Sequence, residues 1–190
     1  MKIILASGSP RRREILDQVG ISYEVRPSQK EEIITNTDPI AVVKELSLMK
    51  ASDIAENMDN VVIIGADTVV SNHNKILGKP KNEEDAKDMI RNLSGKRHSV
   101  FTGVAIIKKE NGIETIRNFA VETKVFVSHM TEEEICAYVE TGEPMDKAGA
   151  YAVQGKFAPY IVGLEGDYYN VVGFPIARVY KELKELRIAF

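Results

Sequence analysis

Residues 5–16 read LASGSPRRREIL, and this stretch predicts a helix that begins at an anion-binding turn. Ser9 is a favoured N-cap residue, Pro10 suits the first helical position, and apolar residues follow at helical spacing until Gly20. Arginines occupy positions 11–13, where the helix dipole and free backbone N–H groups are already positive, which costs roughly 0.3–1 kcal/mol for each. Such a turn predicts a negatively charged ligand, most naturally a phosphate ester; the alternative is a solvated basic patch.

Two apolar runs elsewhere in the sequence, one directly before this turn and one at residues 61–64, predict strands. Ile3 to Leu5 predicts a short strand that leads into the turn, and residues 61–64 predict a central strand covered on both faces. The second run is followed by Gly65-Ala66-Asp67-Thr68. Because ligands of α/β sheets collect at the carboxyl ends of the strands, Asp67 is the candidate catalytic or metal-binding carboxylate.

Four other positions carry candidate site residues, each with a structural alternative. Lys50 lies on the apolar stripe of a helix opened by Asp38 and Pro39, where a lysine either extends to the edge of the core or holds a buried anion. Lys79 follows a predicted hairpin over residues 68–77 and stands between a glycine and a proline. It is either a cation held in a fixed position or part of an ordinary turn.

Glu31 and Glu32 form an acidic pair in a polar loop. They are either part of the solvated surface or metal ligands. Gln154 lies in a stretch of small residues at 146–155 and offers an amide that can pair with the imide edge of uracil or thymine, although most glutamines in such loops are structural or solvated.

Further elements are predicted along the chain. Strands are predicted at residues 21–25, 99–108, 113–127, 160–162 and 168–172, and helices at 82–93, from 131 to a stop at 142, and from 175 onward. The resulting prediction is an α/β fold in a single domain over residues 1–190.

The composition limits the classes of partner. A net charge of −3 over 190 residues makes the arginine cluster a local feature and argues against an extended nucleic-acid surface. The single Cys136 cannot form an internal disulfide, which favours a reducing compartment. No apolar stretch approaches the ~18 residues of a membrane span, and the first residues are too short for a signal-peptide core. We therefore expect a cytoplasmic protein without nucleic-acid or membrane partners.

Several familiar catalytic motifs are absent. The sequence contains no G-x-x-x-x-G-K-[ST], G-x-G-x-x-G, H-E-x-x-H or C-x-x-C motif, and its three histidines have no obvious partners for a Ser-His-Asp hydrolase. The remaining cations and carboxylates suit phosphate-ester hydrolysis, in which Arg and Lys stabilise the phosphoryl group and acids hold a divalent ion.

Taken together, six motifs in this order resemble the Maf family of nucleoside triphosphate pyrophosphatases. They are ASGSPRR at 6–12, EE at 31–32, KA at 50–51, GADT at 65–68, GKP at 78–80 and DKAGAY…QG at 146–155. The resemblance covers residues 3 to about 175. It implies cleavage between the α- and β-phosphates of a nucleoside triphosphate with Mg²⁺ or Mn²⁺. It also implies a mixed, elongated central sheet flanked by helices around a deep cleft, shared with the inosine triphosphate pyrophosphatases.

The resemblance assigns roles residue by residue. Asp67 would accept the proton of the attacking water and help hold the metal, together with Glu31 or Glu32. The triphosphate would be bound by Ser9, Arg12, Arg13, Lys50 and Lys79. Base preference would be set by Thr68, Gln154 and either Arg11 or Arg12.

The intact 146–155 stretch resembles the branch of the family that acts on dTTP and UTP. Two alternatives stay open: a purine pyrophosphatase of the same fold acting on ITP or XTP, and a nucleotide-binding regulator of septum formation and cell division. Family members can also be homodimers, although the sequence shows no exposed apolar stripe that demands it.

Overall fold

The computed structural model describes residues 1–189, which form one mixed seven-stranded sheet with helices on both faces. The strands are β1 (Lys2–Leu5), β2 (Glu24–Val25), β3 (Val61–Asn72), β4 (Lys75–Leu77), β5 (Arg97–Glu110), β6 (Ile113–Val127) and β7 (Ile161–Glu165). The helices are α1 (Pro10–Gln18), α2 (Pro39–Ala55), α3 (Glu83–Leu93), α4 (Glu132–Glu140), α5 (Tyr168–Val172) and α6 (Ile176–Glu185), with 3₁₀ turns at Glu143–Asp146, Ala148–Ala150 and Ala158–Tyr160. Phe190, the last residue of the predicted domain, lies outside the described residues. Within residues 1–189, no helix is both long and apolar enough to cross a membrane.

The pairing of β3 creates a gap in the sheet. The strand order is β2-β1-β3-β5-β6-β7, in which β1 runs parallel to β2 and β3 and the remaining neighbours are antiparallel. On the edge of β3 away from β5, Val61–Ile64 pair with β1 and Val70–Asn72 pair with β4. In the described part of the chain, residues 65–69 have no strand partner on that edge. We call this segment the open edge of β3.

The two faces of the sheet bury different helices. Val62 and Ile64 of β3 pack with α1 and α6, whereas Ile63, between them, packs with Ala51 and Ala55 of α2. This alternation is the two-residue period of a strand covered on both faces. A further core around Phe157 joins α3 and α4 to β5 and β6 at the other end of the sheet. The predicted mixed α/β sheet flanked by helices is confirmed.

Two glycines allow α2 to lie directly on the sheet. A Cβ atom on Gly65 would lie 2.2 Å from the carbonyl oxygen of Ser47, and one on Gly103 would lie 2.1 Å from that of Val43. Both carbonyls belong to α2, so any side chain at these two strand positions would collide with helix backbone.

Three predicted strands differ from the structure. The strand predicted at 61–64 continues to Asn72, because Gly65 is the contact point for α2 and does not end the strand. The strand predicted at 168–172 is helix α5: the side chain of Asp167 accepts a hydrogen bond from the Tyr169 N–H, and Gly173 ends the helix with a φ of 114°. Of the strand predicted at 21–25, only Glu24–Val25 is paired.

His98 is a buried base, and we expect it to make folding stability depend on pH. The residue is 4% exposed, its Nε2 lies 2.7 Å from the hydroxyl oxygen of Tyr151, and burial lowers the pKa of His98 to about 4. The unfolded state therefore binds the proton first as the pH falls from about 6.5 to 4, and stability falls in that window. Between pH 7.5 and pH 5 we expect a loss of about 2 kcal/mol from this group.

Denaturant unfolding at the two pH values measures this loss. His98→Gln should reduce the difference by about 2 kcal/mol, whereas His73→Gln, at an exposed histidine in the β3–β4 turn, should leave it unchanged. Equal pH dependence in wild type and His98→Gln would contradict the assignment.

Candidate active site

A cleft of about 700 Å³ opens at the open edge of β3. The start of α1, the end of the β3–β4 hairpin at Gly78 and Lys79, and residues 146–154 form its other walls. A hydrogen bond from the Gly149 N–H to the Gly78 carbonyl, 3.0 Å long, holds two of these walls together. Most of the site residues predicted from distant parts of the sequence therefore meet where β1 and β4 leave β3 unpaired.

Asp67 projects from the middle of β3 toward α2, where it contacts Lys50. The Lys50 Nζ lies 2.7 Å from Asp67 Oδ1 and 2.7 Å from Glu32 Oε1. The side chains of Lys50 and Asp67 are 15% and 12% exposed. Of the two alternatives for Lys50, the structure has the ammonium held against anionic groups. One ammonium thus joins a carboxylate of the sheet to a carboxylate of the loop that precedes α2.

Arg12 is fixed by three hydrogen bonds. Its Nε donates to the Gly173 carbonyl at 2.9 Å, its Nη1 to Ser7 Oγ at 2.7 Å and its Nη2 to Thr68 Oγ1 at 3.2 Å. Burial lowers the pKa of the guanidinium, and the charge of Asp67 opposes that shift. A guanidinium has five N–H groups, so two remain free of partners within residues 1–189 and can donate to a ligand in the cleft.

The start of α1 separates the three arginines. Successive residues of a helix point about 100° apart, so Arg11 and Arg12 line the cleft whereas Arg13 lies in a shallow groove beside it. Ser9 precedes the helix and lines the cleft, but its side chain makes no capping hydrogen bond in the described chain. The structure therefore leaves the Ser9 hydroxyl for a ligand and does not bring Arg13 to the other site residues.

The structure also separates the two glutamates. Glu32 lines the cleft and contacts Lys50, whereas Glu31 is exposed and does not line the cleft. Lys79, Thr68 and Gln154 also line the cleft. Of the sequence-predicted set, nine residues share the cleft: Ser9, Arg11, Arg12, Glu32, Lys50, Asp67, Thr68, Lys79 and Gln154.

Sequence reasoning assigned no role to three groups that the structure places here. Lys147 is a further cation of the cleft, paired with Asp146. Ser7 and the Gly173 carbonyl are the groups that hold Arg12. The Asp146-Lys147 pair stands in the quoted 146–155 motif, which was a signal for Lys147. No sequence signal points to a backbone carbonyl. With Lys147, five cationic side chains face three carboxylates in the cleft.

The donor set fits a divalent cation that binds together with phosphate. Among residues 1–189, no group of three or more His, Cys, Asp or Glu side chains is arranged to hold a metal by itself. Mg²⁺ is usually bound by one or two carboxylates and completed by substrate phosphates and water. Asp67 and Glu32, which already share one cation, are such a pair of carboxylates.

A protein-family model and several curated relatives match nearly the whole chain. The model of the family described as "Maf-like protein" matches residues 2–186. A "dTTP/UTP pyrophosphatase" of Lachnoclostridium phytofermentans is 56% identical over 189 residues, covering 98% of this chain and 96% of that protein. Proteins of the same name from Agathobacter rectalis and Bacillus mycoides are 48% and 51% identical, covering 98% and 97% of this chain and 98% and 95% of their own lengths.

A solved structure, that of the Staphylococcus aureus Ham1 protein, aligns with a TM-score of 0.49 at 11% identity, over 97% of this chain and 99% of that one. The family match and the sequence relatives each span nearly all of the residues that build the sheet and the cleft. The chain belongs to the Maf-like protein family.

Proposed function

We propose that this protein is a nucleoside triphosphate pyrophosphatase that hydrolyses dTTP and UTP to the monophosphate and pyrophosphate. The observation that carries the proposal is the meeting in one cleft of Asp67, five cationic side chains and the Arg12, Thr68 and Gln154 group. The names of relatives about half identical over nearly the whole chain support this activity over a purine pyrophosphatase or a regulator without catalysis.

In the proposed reaction, Asp67 accepts a proton from water as the water oxygen bonds to the α-phosphorus. The bond from that phosphorus to the oxygen bridging to the β-phosphorus breaks, and the bridging oxygen leaves with pyrophosphate. A carboxylate held by Lys50 at 2.7 Å is fixed in position for this proton transfer. A divalent cation, Mg²⁺ or Mn²⁺, would be held by Asp67 and Glu32 and would neutralise phosphate charge.

The cations of the cleft bind and orient the triphosphate. Arg12 presents two N–H groups from a guanidinium that the protein already holds, so little freedom is lost when it binds phosphate. Lys79 and Lys147 face it from the hairpin and from the 146–154 wall, and the Ser9 hydroxyl adds a neutral donor. Positive charge around the phosphates stabilises the charge that develops on the leaving pyrophosphate.

Pyrophosphate release from a panel of nucleoside triphosphates, with Mg²⁺ or with Mn²⁺, tests the proposal. We expect dTTP and UTP to give pyrophosphate and the monophosphate, with dCTP and the purine nucleotides slower. Faster release from ITP would select the purine enzyme. Absence of release from every nucleotide, with binding retained, would select the regulator.

Glu32 and Glu31 provide a matched test of the metal site. Glu32→Gln should raise the Mg²⁺ or Mn²⁺ concentration needed for half-maximal activity by about tenfold, because one of two anionic oxygen ligands becomes neutral. Glu31→Gln removes the same charge one residue away, outside the cleft, and should leave the requirement within about twofold. A divalent-cation titration of activity measures both, and an equal shift in the two variants would argue against Glu32 as a ligand.

The proposed substrate and the single Cys136 both fit a reducing, cytoplasmic compartment.

A further inference from the structure

A chain of buried hydroxyl groups runs away from the cleft behind Thr68. Thr68 Oγ1 lies 2.9 Å from Thr102 Oγ1, its cross-strand neighbour on β5, and Thr102 Oγ1 lies 2.9 Å from the carbonyl oxygen of Asn170 in α5. Thr102 and Asn170 are fully buried. Thr68 lines the cleft, whereas Thr102 and Asn170 do not.

The direction of this chain follows from the chemistry of its members. A carbonyl oxygen can only accept a hydrogen bond, so Thr102 donates its single hydroxyl hydrogen to the Asn170 carbonyl. The contact between the two threonines then requires Thr68 to donate and Thr102 to accept. Thr68 also accepts a hydrogen bond from Arg12 Nη2 at 3.2 Å. Its hydroxyl hydrogen is therefore committed to the interior, and one lone pair remains for the cleft.

The inner end of the chain is held rigidly. The side-chain Nδ2 of Asn170 donates to the Val100 carbonyl at 3.0 Å and to Thr123 Oγ1 at 2.9 Å, which uses both of its hydrogens. These bonds fix α5 on β5 and β6. The Asn170 carbonyl also accepts the Gly173 N–H at 3.0 Å, so it keeps a partner if Thr102 is changed.

We propose that Thr102 is a positioning residue for base selection: by holding the Thr68 hydroxyl hydrogen, it makes Thr68 a pure acceptor toward the base in the cleft. The imide N–H of uracil or thymine can donate to such an acceptor. The corresponding ring nitrogen of cytosine carries a lone pair instead, and two lone pairs repel. This inference rests on the proposed function, because it assumes a pyrimidine nucleotide in the cleft.

Thr102→Val tests the proposal by removing the hydroxyl at nearly constant volume. The Thr68 hydroxyl is then free to rotate and donate to cytosine, so the ratio of kcat/KM for dTTP to that for dCTP should fall about tenfold. Where turnover of dCTP is too slow to follow, its inhibition constant against dTTP replaces kcat/KM. Because both substrates are measured on one preparation, the folded fraction cancels in the ratio.

Two variants separate positioning from structural damage. Thr102→Ser keeps the hydroxyl and should restore the wild-type ratio. Thr123→Val removes an equally buried hydroxyl that contacts the same asparagine but not Thr68, so it should lower kcat/KM for both substrates together. The proposal would be overturned if the dTTP-to-dCTP ratio of kcat/KM in Thr102→Val stayed within twofold of wild type. It would also be overturned if this ratio fell as far in Thr123→Val as in Thr102→Val. If the wild type releases pyrophosphate from neither dTTP nor UTP, the proposed function itself has failed, and this inference with it.

Discussion

Asp67→Asn lowers kcat for pyrophosphate release by about 10³-fold while the protein remains folded. The amide oxygen can still accept the hydrogen bond from Lys50 Nζ, which keeps the local structure, but it cannot take a proton from water. The loss should therefore fall on kcat more than on KM for dTTP. Steady-state kinetics, with a thermal unfolding curve of each protein, measure the effect.

Asp146→Asn is the matched control for this variant. It makes the same chemical change in a carboxylate of the same cleft, one paired with Lys147 and not with Lys50. We expect kcat within about tenfold of wild type, since only exposed charge is altered. Turnover by Asp67→Asn at a tenth of the wild-type rate or more would remove Asp67 from the role of proton acceptor.

Gly103→Ala destabilises the fold by about 3 kcal/mol, which for a chain of this length lowers the melting temperature by roughly 6–12 °C. The added Cβ would lie 2.1 Å from the Val43 carbonyl oxygen and 2.9 Å from the Lys44 nitrogen, both in the backbone of α2. Helix backbone cannot rotate away as a side chain can, so the helix must lift from the sheet. Lys50 is on this helix, and activity should fall as well.

Gly163→Ala controls for the loss of a glycine in a strand. Its Cβ would meet only the Phe126 ring, at 4.0 Å, which is ordinary van der Waals contact. We expect a change within about 0.5 kcal/mol, measured by denaturant unfolding beside Gly103→Ala. Similar stability of the two variants would show that α2 does not depend on close approach at Gly103.

The elements that sequence predicted well have local causes. Asp38 and Asn82 cap α2 and α3 through their own side chains, and Thr131 and Glu134 form the capping box that opens α4. Each of these signals lies within four residues of its effect. The turn at residues 111–112 joins β5 and β6 in the same way.

The elements that sequence missed depend on distant contacts. By sequence, Gly65 predicts the end of a strand; in the structure the strand continues, and a glycine is required there by the backbone of α2, which no local pattern reveals. Residues 168–172 have the composition of a strand and become helix because Asp167 caps them and Asn170 binds two other strands. Site residue types were predictable, whereas the direction in which each arginine of α1 points was not, since packing of the helix decides it.

The open edge of β3 places Asp67 and Thr68 next to each other in the chain but on opposite faces of the sheet. Asp67 is supported from the α2 side by Lys50, and Thr68 from the α5 side by Arg12 and Thr102. In the proposed enzyme, the residues for cleavage and for base choice are thus supported from opposite faces of the sheet, and both supporting helices pack on β5. If these proposed roles are right, substitutions at Thr102 change which nucleotide is accepted from the face opposite to Asp67 and Lys50, so base preference can evolve, or be engineered, separately from the cleavage step.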